Sequence, residues 1–228
     1  MNIIAIIPAR GGSKGIKKKN LSIFCNKPLI YWTINRCINS KKIHSTWVTS
    51  NDEEILNYAK KNNVNIIKRP KKISNSKSIS EDAIIHAIKT IQRKFNIDHI
   101  LFPQVTSPIR SKNEFDIAIN YYLTNRFDSL FSADKIKDYF MWERNNKKLK
   151  PINYSLIKRP PRQKIIQKFH ENGSFYLFKK NNFMKYKTRV FQNIGVYEME
   201  AFKSIQIDEY EDIKFAEIVM KKFILNEK

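Results

Sequence analysis

Ile3-Ile4-Ala5-Ile6-Ile7-Pro8-Ala9-Arg10-Gly11-Gly12-Ser13-Lys14-Gly15 decides the fold class of this chain of 228 residues. Its first five residues are a short continuous apolar run, the pattern of a strand buried on both faces of a parallel sheet. Glycine is scarce, five in all, yet Gly11, Gly12 and Gly15 fall within one five-residue window. Glycine permits positive φ and lets backbone N–H groups approach a ligand closely. At the carboxyl end of a first parallel strand, such a loop lies where open α/β sheets bind ligands. Arg10, Lys14 and Lys19 surround it with positive charge, and Ser13 adds a hydroxyl. The chemistry implied is a triphosphate or other polyanion held by amides and cations. The spacing fits neither GxGxxG nor GxxxxGK[ST], which disfavours a dinucleotide fold and a P-loop ATPase.

Outward from this loop the chain alternates strand and helix patterns. Pro28 stands where a helix can start, and the amphipathic segment after it ends near Asn39. Trp47 to Thr49, Val64 to Ile67, His99 to Phe102 and Ser129 to Ala133 read as further strands. Asn51 to Glu54 place acidic residues in the first turn of one helix. Ser80 opens another, with Ile84, Ile85, Ala87, Ile88 and Ile91 on one side, and Ser111 with Glu114 predicts a capping box for the next. This order argues for a largely parallel sheet with right-handed crossovers. The pattern weakens at 135–190, where aromatic strands are expected around Tyr139 to Trp142 and Phe175 to Phe178. Between them lies the basic stretch Lys158-Arg159-Pro160-Pro161-Arg162-Gln163. The expectation is a single domain over 1–228 carrying a dimerisation arm at about 135–190. Val190 to Tyr197 returns as a strand, and Glu211 to Leu225 closes the chain as a helix.

Composition narrows the classes. Hydrophobic residues make up 42% of the chain and aromatics 12%, too many for a disordered tail. No apolar run reaches the roughly 18 residues of a membrane span, and no signal peptide is visible, so a cytoplasmic protein with no membrane partner is expected. Cys25 and Cys37 are too few for a disulfide framework or a zinc cluster and read as ordinary thiols. The net charge of +22 is scattered, in short runs such as Lys17-Lys18-Lys19. No basic helix or aromatic-interleaved patch accompanies it, so a solvated basic surface and anionic small substrates are favoured over specific nucleic-acid binding.

Pro8-Ala9-Arg10-Gly11-Gly12-Ser13-Lys14-Gly15-Ile16, followed by Lys19-Asn20-Leu21, resembles the nucleotide-binding signature of the acylneuraminate cytidylyltransferases. The resemblance continues in Arg69-Pro70, in Gln104-Val105-Thr106-Ser107-Pro108-Ile109-Arg110 and in Arg162-Gln163. It also takes in Glu171-Asn172-Gly173-Ser174-Phe175-Tyr176 and Ile207-Asp208 with Glu211-Asp212. These blocks span nearly the whole chain in family order. The resemblance implies a Rossmann-like three-layer nucleotidyltransferase fold with a dimerisation arm, and a homodimer. It implies transfer of CMP from CTP to the anomeric hydroxyl of a sialic-type nonulosonic acid, with release of pyrophosphate and with Mg²⁺ or Mn²⁺ as cofactor. Carried over position by position, Arg10, Gly11, Gly12, Ser13, Lys14, Lys19, Asn20, Arg69 and Ser80 would bind CTP. Gln104, Thr106, Ser107, Arg162 and Asn172 would line the sugar site, and Arg10, Lys14 and Asp208 would be catalytic.

One departure stands out. Relatives place two aspartates two residues apart on a strand, both pointing to one face, whereas this chain has Gln206 and Asp208. Asp208 is therefore the expected metal ligand or acid–base partner, with a helix N-cap as the alternative role. Glu209, Glu211 and Asp212 read as support for the first turn of the last helix. His170 could touch substrate, while His86, His99 and His44 read as packing or strand-edge residues. Phe191 could contribute an apolar contact to the sugar across a dimer. The competing functions are a related enzyme for a shorter keto-acid sugar, a catalytically silent sugar-nucleotide binder and a basic nucleic-acid binder.

Overall fold

In the computed structural model, β1 (Ile3–Pro8) is flanked on both sides by parallel strands, β4 (Ser45–Ser50) and β6 (His99–Pro103). The structure describes residues 1–13, 15–75, 78–136, 141–146, 148–158, 161, 164 and 166–226. The complete seven-stranded sheet has the order β11-β7-β10-β6-β1-β4-β5. The added strands are β5 (Asn65–Lys68), β7 (Ser129–Ile136), β10 (Lys168–Lys179) and β11 (Ile194–Glu198). All pairings are parallel except the two made by β10, which runs antiparallel between β6 and β7.

Alternation along β1 explains why its run is apolar throughout. Ile3, Ala5 and Ile7 enter one core layer, with residues of α1 (Leu29–Ile38), α4 (Glu114–Thr124) and α6 (Tyr210–Met220). Ile4 and Ile6 enter the other, with α3 (Ser80–Ile91) and with Phe183 of α5 (Lys180–Tyr186). Each fully buried isoleucine contributes roughly 1.5–3 kcal/mol relative to exposure, so a polar residue anywhere in Ile3–Ile7 would disrupt one layer or the other. The remaining helix, α2 (Glu53–Lys61), is capped by Asp52, whose carboxylate accepts from the Glu54 and Ile55 N–H groups. The expected capping box at α4 is half realised: the Glu114 carboxylate accepts the Ser111 N–H at 3.0 Å, but Asn113 is the N-cap and no side chain caps there.

Two short hairpins lie outside the main sheet. β2 (Ile23–Phe24) and β3 (Lys27–Pro28) are joined by Cys25 and Asn26, both at positive φ, the backbone a two-residue type I′ turn requires. Burial pushes the Cys25 thiol up to about 11 and that of Cys37 up to about 12, consistent with ordinary thiols. The second hairpin, β8 (Trp142–Asn145) with β9 (Lys148–Pro151), is the described part of 135–190 that stands apart from the sheet. Phe175 to Phe178, expected in the arm, is instead in mid-sheet, because β10 finds backbone partners on both sides and buries its aromatics on both faces. Phe191 likewise packs inside, against Phe178 and Tyr186. Tyr139 and Phe140 lie outside the described residues.

β10 is not regular. Between Glu171, opposite Ala133, and Tyr176, opposite Phe131, the register shifts. Asn172, Gly173 and Ser174 form this bulge beside the carboxyl end of β6, and Gly173 takes φ +67°. Bulges re-aim a strand locally.

Candidate functional site

The chain leaves β1 for β4 and β5 on one side and returns to β6 on the other, so a crevice opens between the carboxyl ends of β1 and β6. A cavity of about 580 Å³ lies there. Pro8 and Arg10 follow from β1, Arg69 from β5, and Phe102 and Gln104 from β6; Ser80 and Ala83 come from α3. The loop after β1 contributes Ser13, Gly15, Lys19 and Asn20, and the stretch before α6 contributes Gln206, Asp208 and Glu209.

The loop is tied down at a few points. Gly11 N–H donates to Asn51 Oδ1 at 3.1 Å, and Asn20 Nδ2 donates to the Arg10 carbonyl at 2.9 Å. Gly15 needs to lack a side chain, since a Cβ there would stand 2.3 Å from the Asp208 carbonyl oxygen. Lys19 Nζ reaches the Ile207 carbonyl at 3.0 Å and Asp208 Oδ1 at 2.7 Å. Arg10 donates to the Asn75 carbonyl at 3.0 Å. Arg69 is buried and donates to the Thr49 carbonyl at 2.7 Å. Burial, with Arg10 nearby, pulls its guanidinium down to about 10, still charged at neutral pH. Three cations thus border the cavity, and among the described residues only Lys19 is paired with a carboxylate, Asp208, an arrangement that can take an incoming polyanion.

The opposite wall is neutral and densely hydrogen-bonded. Arg110 is fully buried beneath it. Its guanidinium donates to Ser174 Oγ at 2.9 Å, Thr33 Oγ1 at 3.1 Å, the Gln104 carbonyl at 2.8 Å and the Ser174 carbonyl at 2.6 Å, with the Phe115 ring at 5.3 Å. Gln104 N–H in turn donates to the Ser174 carbonyl at 2.9 Å. The end of β6 and the β10 bulge are therefore stapled together through one guanidinium. Burial pulls that group down to about 10.

Of the residues singled out in the sequence, Arg10, Ser13, Lys19, Asn20, Arg69, Ser80, Gln104, Thr106 and Asp208 converge on this cavity. Gly11 and Gly12 shape the loop without lining it: Gly12 has φ +79°, and a Cβ on Gly11 would stand 2.8 Å from Asp52 Oδ2. Ser107 is buried behind the wall, its hydroxyl without a hydrogen-bond partner among the described residues. Asn172 is also interior. Its Oδ1 accepts from Ser132 Oγ at 2.7 Å and from Ser174 N–H at 3.1 Å, while its Nδ2 donates to Ser204 Oγ at 3.0 Å. The side chain expected at the sugar is spent on the scaffold. His170 pairs with Asp134 at 3.0 Å and does not line the cavity. Lys14 and Arg162 lie outside the described residues.

The geometry separates Gln206 from Asp208. Residues 205–208 are irregular rather than a strand, held by an Ile207 N–H to Thr106 carbonyl bond at 2.8 Å. Asp208 turns to Lys19, with 70% of its side chain exposed against 12% for the lysine. The N-cap role falls to Glu209, which forms a reciprocal box with Asp212. No group of three or more His, Cys, Asp or Glu able to hold a metal occurs among the described residues. Asp208, a single mostly exposed carboxylate, fits a hard cation completed by phosphate oxygens and water, the usual pattern for Mg²⁺. Ser74, Ser78 and Ile79 complete the wall near α3; their only sequence signal was a polar run before a helix.

Comparison with known proteins agrees with this geometry. The family model described as cytidylyltransferase matches residues 4–227. N-acylneuraminate cytidylyltransferase A of Danio rerio is 34% identical over 184 residues, 78% of this chain and 42% of that protein. The chain thus spans under half the length of that relative. Pseudaminic acid cytidylyltransferase of Campylobacter jejuni subsp. jejuni serotype O:23/36 (strain 81-176) is 29% identical over 227 residues, 97% of each chain. Among solved structures, CMP:2-keto-3-deoxy-manno-octonic acid synthetase complexed with CTP superposes with a TM-score of 0.73 at 15% identity, covering 97% of this chain and 99% of that one. At that identity the likeness is one of fold.

Proposed function

This chain belongs to the cytidylyltransferase family, and on that premise we propose that it transfers CMP from CTP to the anomeric hydroxyl of a sialic-type nonulosonic acid. The observation that carries the reading is one cavity with two unlike walls: Arg10, Lys19 and Arg69 on the loop side, Gln104 and Thr106 on the other. A triphosphate needs the first and a polyhydroxylated sugar acid fits the second. In the reaction the anomeric oxygen forms a bond to the α-phosphorus, the bond to the β-phosphate oxygen breaks, and pyrophosphate leaves with the electron pair. The hydroxyl proton passes to a base; the Asp208 carboxylate, which lines the cavity, is the candidate for that role as the alternative to holding the metal. Such transfer relies mainly on positioning and charge neutralisation.

Arg10 and Lys19 hold the phosphates in this reading, and Lys14 belongs to the same loop. Arg69 and Ser80 lie toward the nucleoside, while Gln104 and Thr106 orient the sugar. Asp208 would hold Mg²⁺ or Mn²⁺, which supplies charge neutralisation of phosphate oxygens when bound. A homodimer is supported by the apolar surface around the separate hairpin, where Trp142, Leu149, Ile152 and Ile157 are exposed. Among the described residues no helix is long and apolar enough to cross a membrane; a cytoplasmic location is the reading adopted with it.

The test is pyrophosphate release with CTP, Mg²⁺ and a panel of sialic, legionaminic and pseudaminic acids. Release that requires both CTP and one of these sugars is expected. Binding of CTP without any CMP-sugar formed would replace this reading with that of a silent sugar-nucleotide binder.

A further inference from the structure

Gln206 lines the cavity where the family resemblance leads one to expect an aspartate, and its surroundings explain why an amide is there. Its Nε2 donates to the Asn172 carbonyl oxygen. Only a donor can face that oxygen, so the amide orientation is set by chemistry, with nitrogen inward and Oε1 left over. A carboxylate in the same place would set lone pairs against lone pairs. The anchor is itself rigid, because the Asn172 side chain is fully engaged by Ser132, Ser174 and Ser204. Upstream, Lys203 is pinned by a buried ion pair to Glu114 at 2.7 Å.

Gly173 makes room for this amide. A Cβ at that position would stand 2.5 Å from Gln206 Nε2 and 3.6 Å from Gln104 Nε2. Two carboxamides therefore meet over one bare stretch of backbone, both bordering the cavity and both electrically neutral. Gln206 Oε1 and the Gln104 carboxamide have no hydrogen-bond partner among the described residues. Asp208, only two residues on, faces Lys19 on the other wall. The two positions thus serve different halves of the cavity.

We propose that Gln206 is a specificity-determining contact for the acceptor sugar: anchored through Nε2 on Asn172, its Oε1 accepts a hydrogen bond from a neutral donor of the sugar, a ring hydroxyl or an N-acyl N–H, beside Gln104. It takes no part in holding the metal, which falls to the Asp208 side alone. This rests on the proposed cytidylyltransferase reading. Discrimination follows because a positioned acceptor is left unpaired by an analogue that lacks the donor.

The test compares wild type with Gln206→Ala and Gln206→Glu, the second matched in length but unable to donate to Asn172. Each is assayed for the KM of CTP, the KM of the sugar and preference across the sialic, legionaminic and pseudaminic panel. Mn²⁺ affinity is measured separately, by titration of the CTP-bound protein without sugar. Both variants are expected to raise the sugar KM about tenfold or more and to narrow the preference, with CTP KM and Mn²⁺ affinity within about twofold of wild type. A changed Mn²⁺ affinity with an unchanged sugar KM would overturn the proposal and return residue 206 to the metal site. Equal losses in every parameter, in variants that melt like wild type, would reduce it to a structural role and overturn it as well. A wild type that binds CTP but turns over no panel sugar would instead bring down the functional reading, and this assignment with it.

Discussion

The loop from Arg10 to Asn20 and the bulge at Asn172 to Ser174 border the same cavity but are held in opposite ways. The loop carries cations, keeps much of its surface in water and is fastened at a few points, such as Asn20 to the Arg10 carbonyl and Lys19 to Asp208. The bulge is buried, carries no charge and spends its polar atoms on Arg110, Ser132, Ser204 and Gln206. The difference has a physical origin. Several cations cannot be dried out together before an anion arrives, and the lowered Arg69 shows the cost where one of them is buried. Amides and hydroxyls can be buried at once where partners lie within the protein, as they do for Asn172 and Ser174. The cationic wall is therefore loosely fastened, and the neutral wall is stiff.

Each of four experiments presses on that contrast, the largest effect first. Arg110→Met removes the guanidinium that joins Gln104 to Ser174 and leaves several buried acceptors unsatisfied, so a stability loss of about 3 kcal/mol or more is expected in urea unfolding. A loss under about 1 kcal/mol would show that the stiff wall does not depend on its buried cation. Asp208→Asn tests the loose wall: pyrophosphate release should drop about a hundredfold and need more Mg²⁺, with little change in melting because the side chain is mostly exposed. Lys19→Gln should raise the KM of CTP roughly tenfold and blunt its salt dependence, leaving the sugar KM in place. If the sugar KM moved instead, the division of labour between the walls would fail.

The smallest effect lies outside both walls. Burial lowers the His99 imidazole, which sits 3.0 Å from the Tyr122 hydroxyl. The unfolded chain then takes up a proton before the folded one, so this stability contribution is present above pH 6.5 and lost as pH falls below it. Urea midpoints measured at pH 5 and pH 7.5 should differ less in His99→Gln than in wild type. An unchanged difference would show that acid sensitivity comes from elsewhere.

Much of the architecture was legible before any coordinates. The apolar run at Ile3 to Ile7, the glycine cluster after it and the alternation of strand and helix patterns all came through as elements. Arg10, Ser13, Lys19 and Asn20 were readable as a group because one loop carries all four. Phe175 to Phe178 was correctly read as a strand but assigned to the wrong neighbourhood. A strand pattern states which faces are buried, not which strands lie alongside. Asn172 was read as a sugar contact because it stands in the right block of residues. What removed it from the cavity is its bonding to Ser204 and Ser132, partners 32 and 40 residues away.

The sequence by itself determined the kinds of element, their order, the cationic character of the first loop and the absence of a carboxylate at position 206. Those are local properties, set by side-chain periodicity, backbone freedom and charge. Tertiary structure alone decided that β10 runs antiparallel in mid-sheet, that Arg110 is buried under Gln104, and that Gln206 turns to Asn172 while Asp208 turns to Lys19. Each of these depends on which buried polar group finds which partner, and that pairing is settled only when distant segments pack and water leaves.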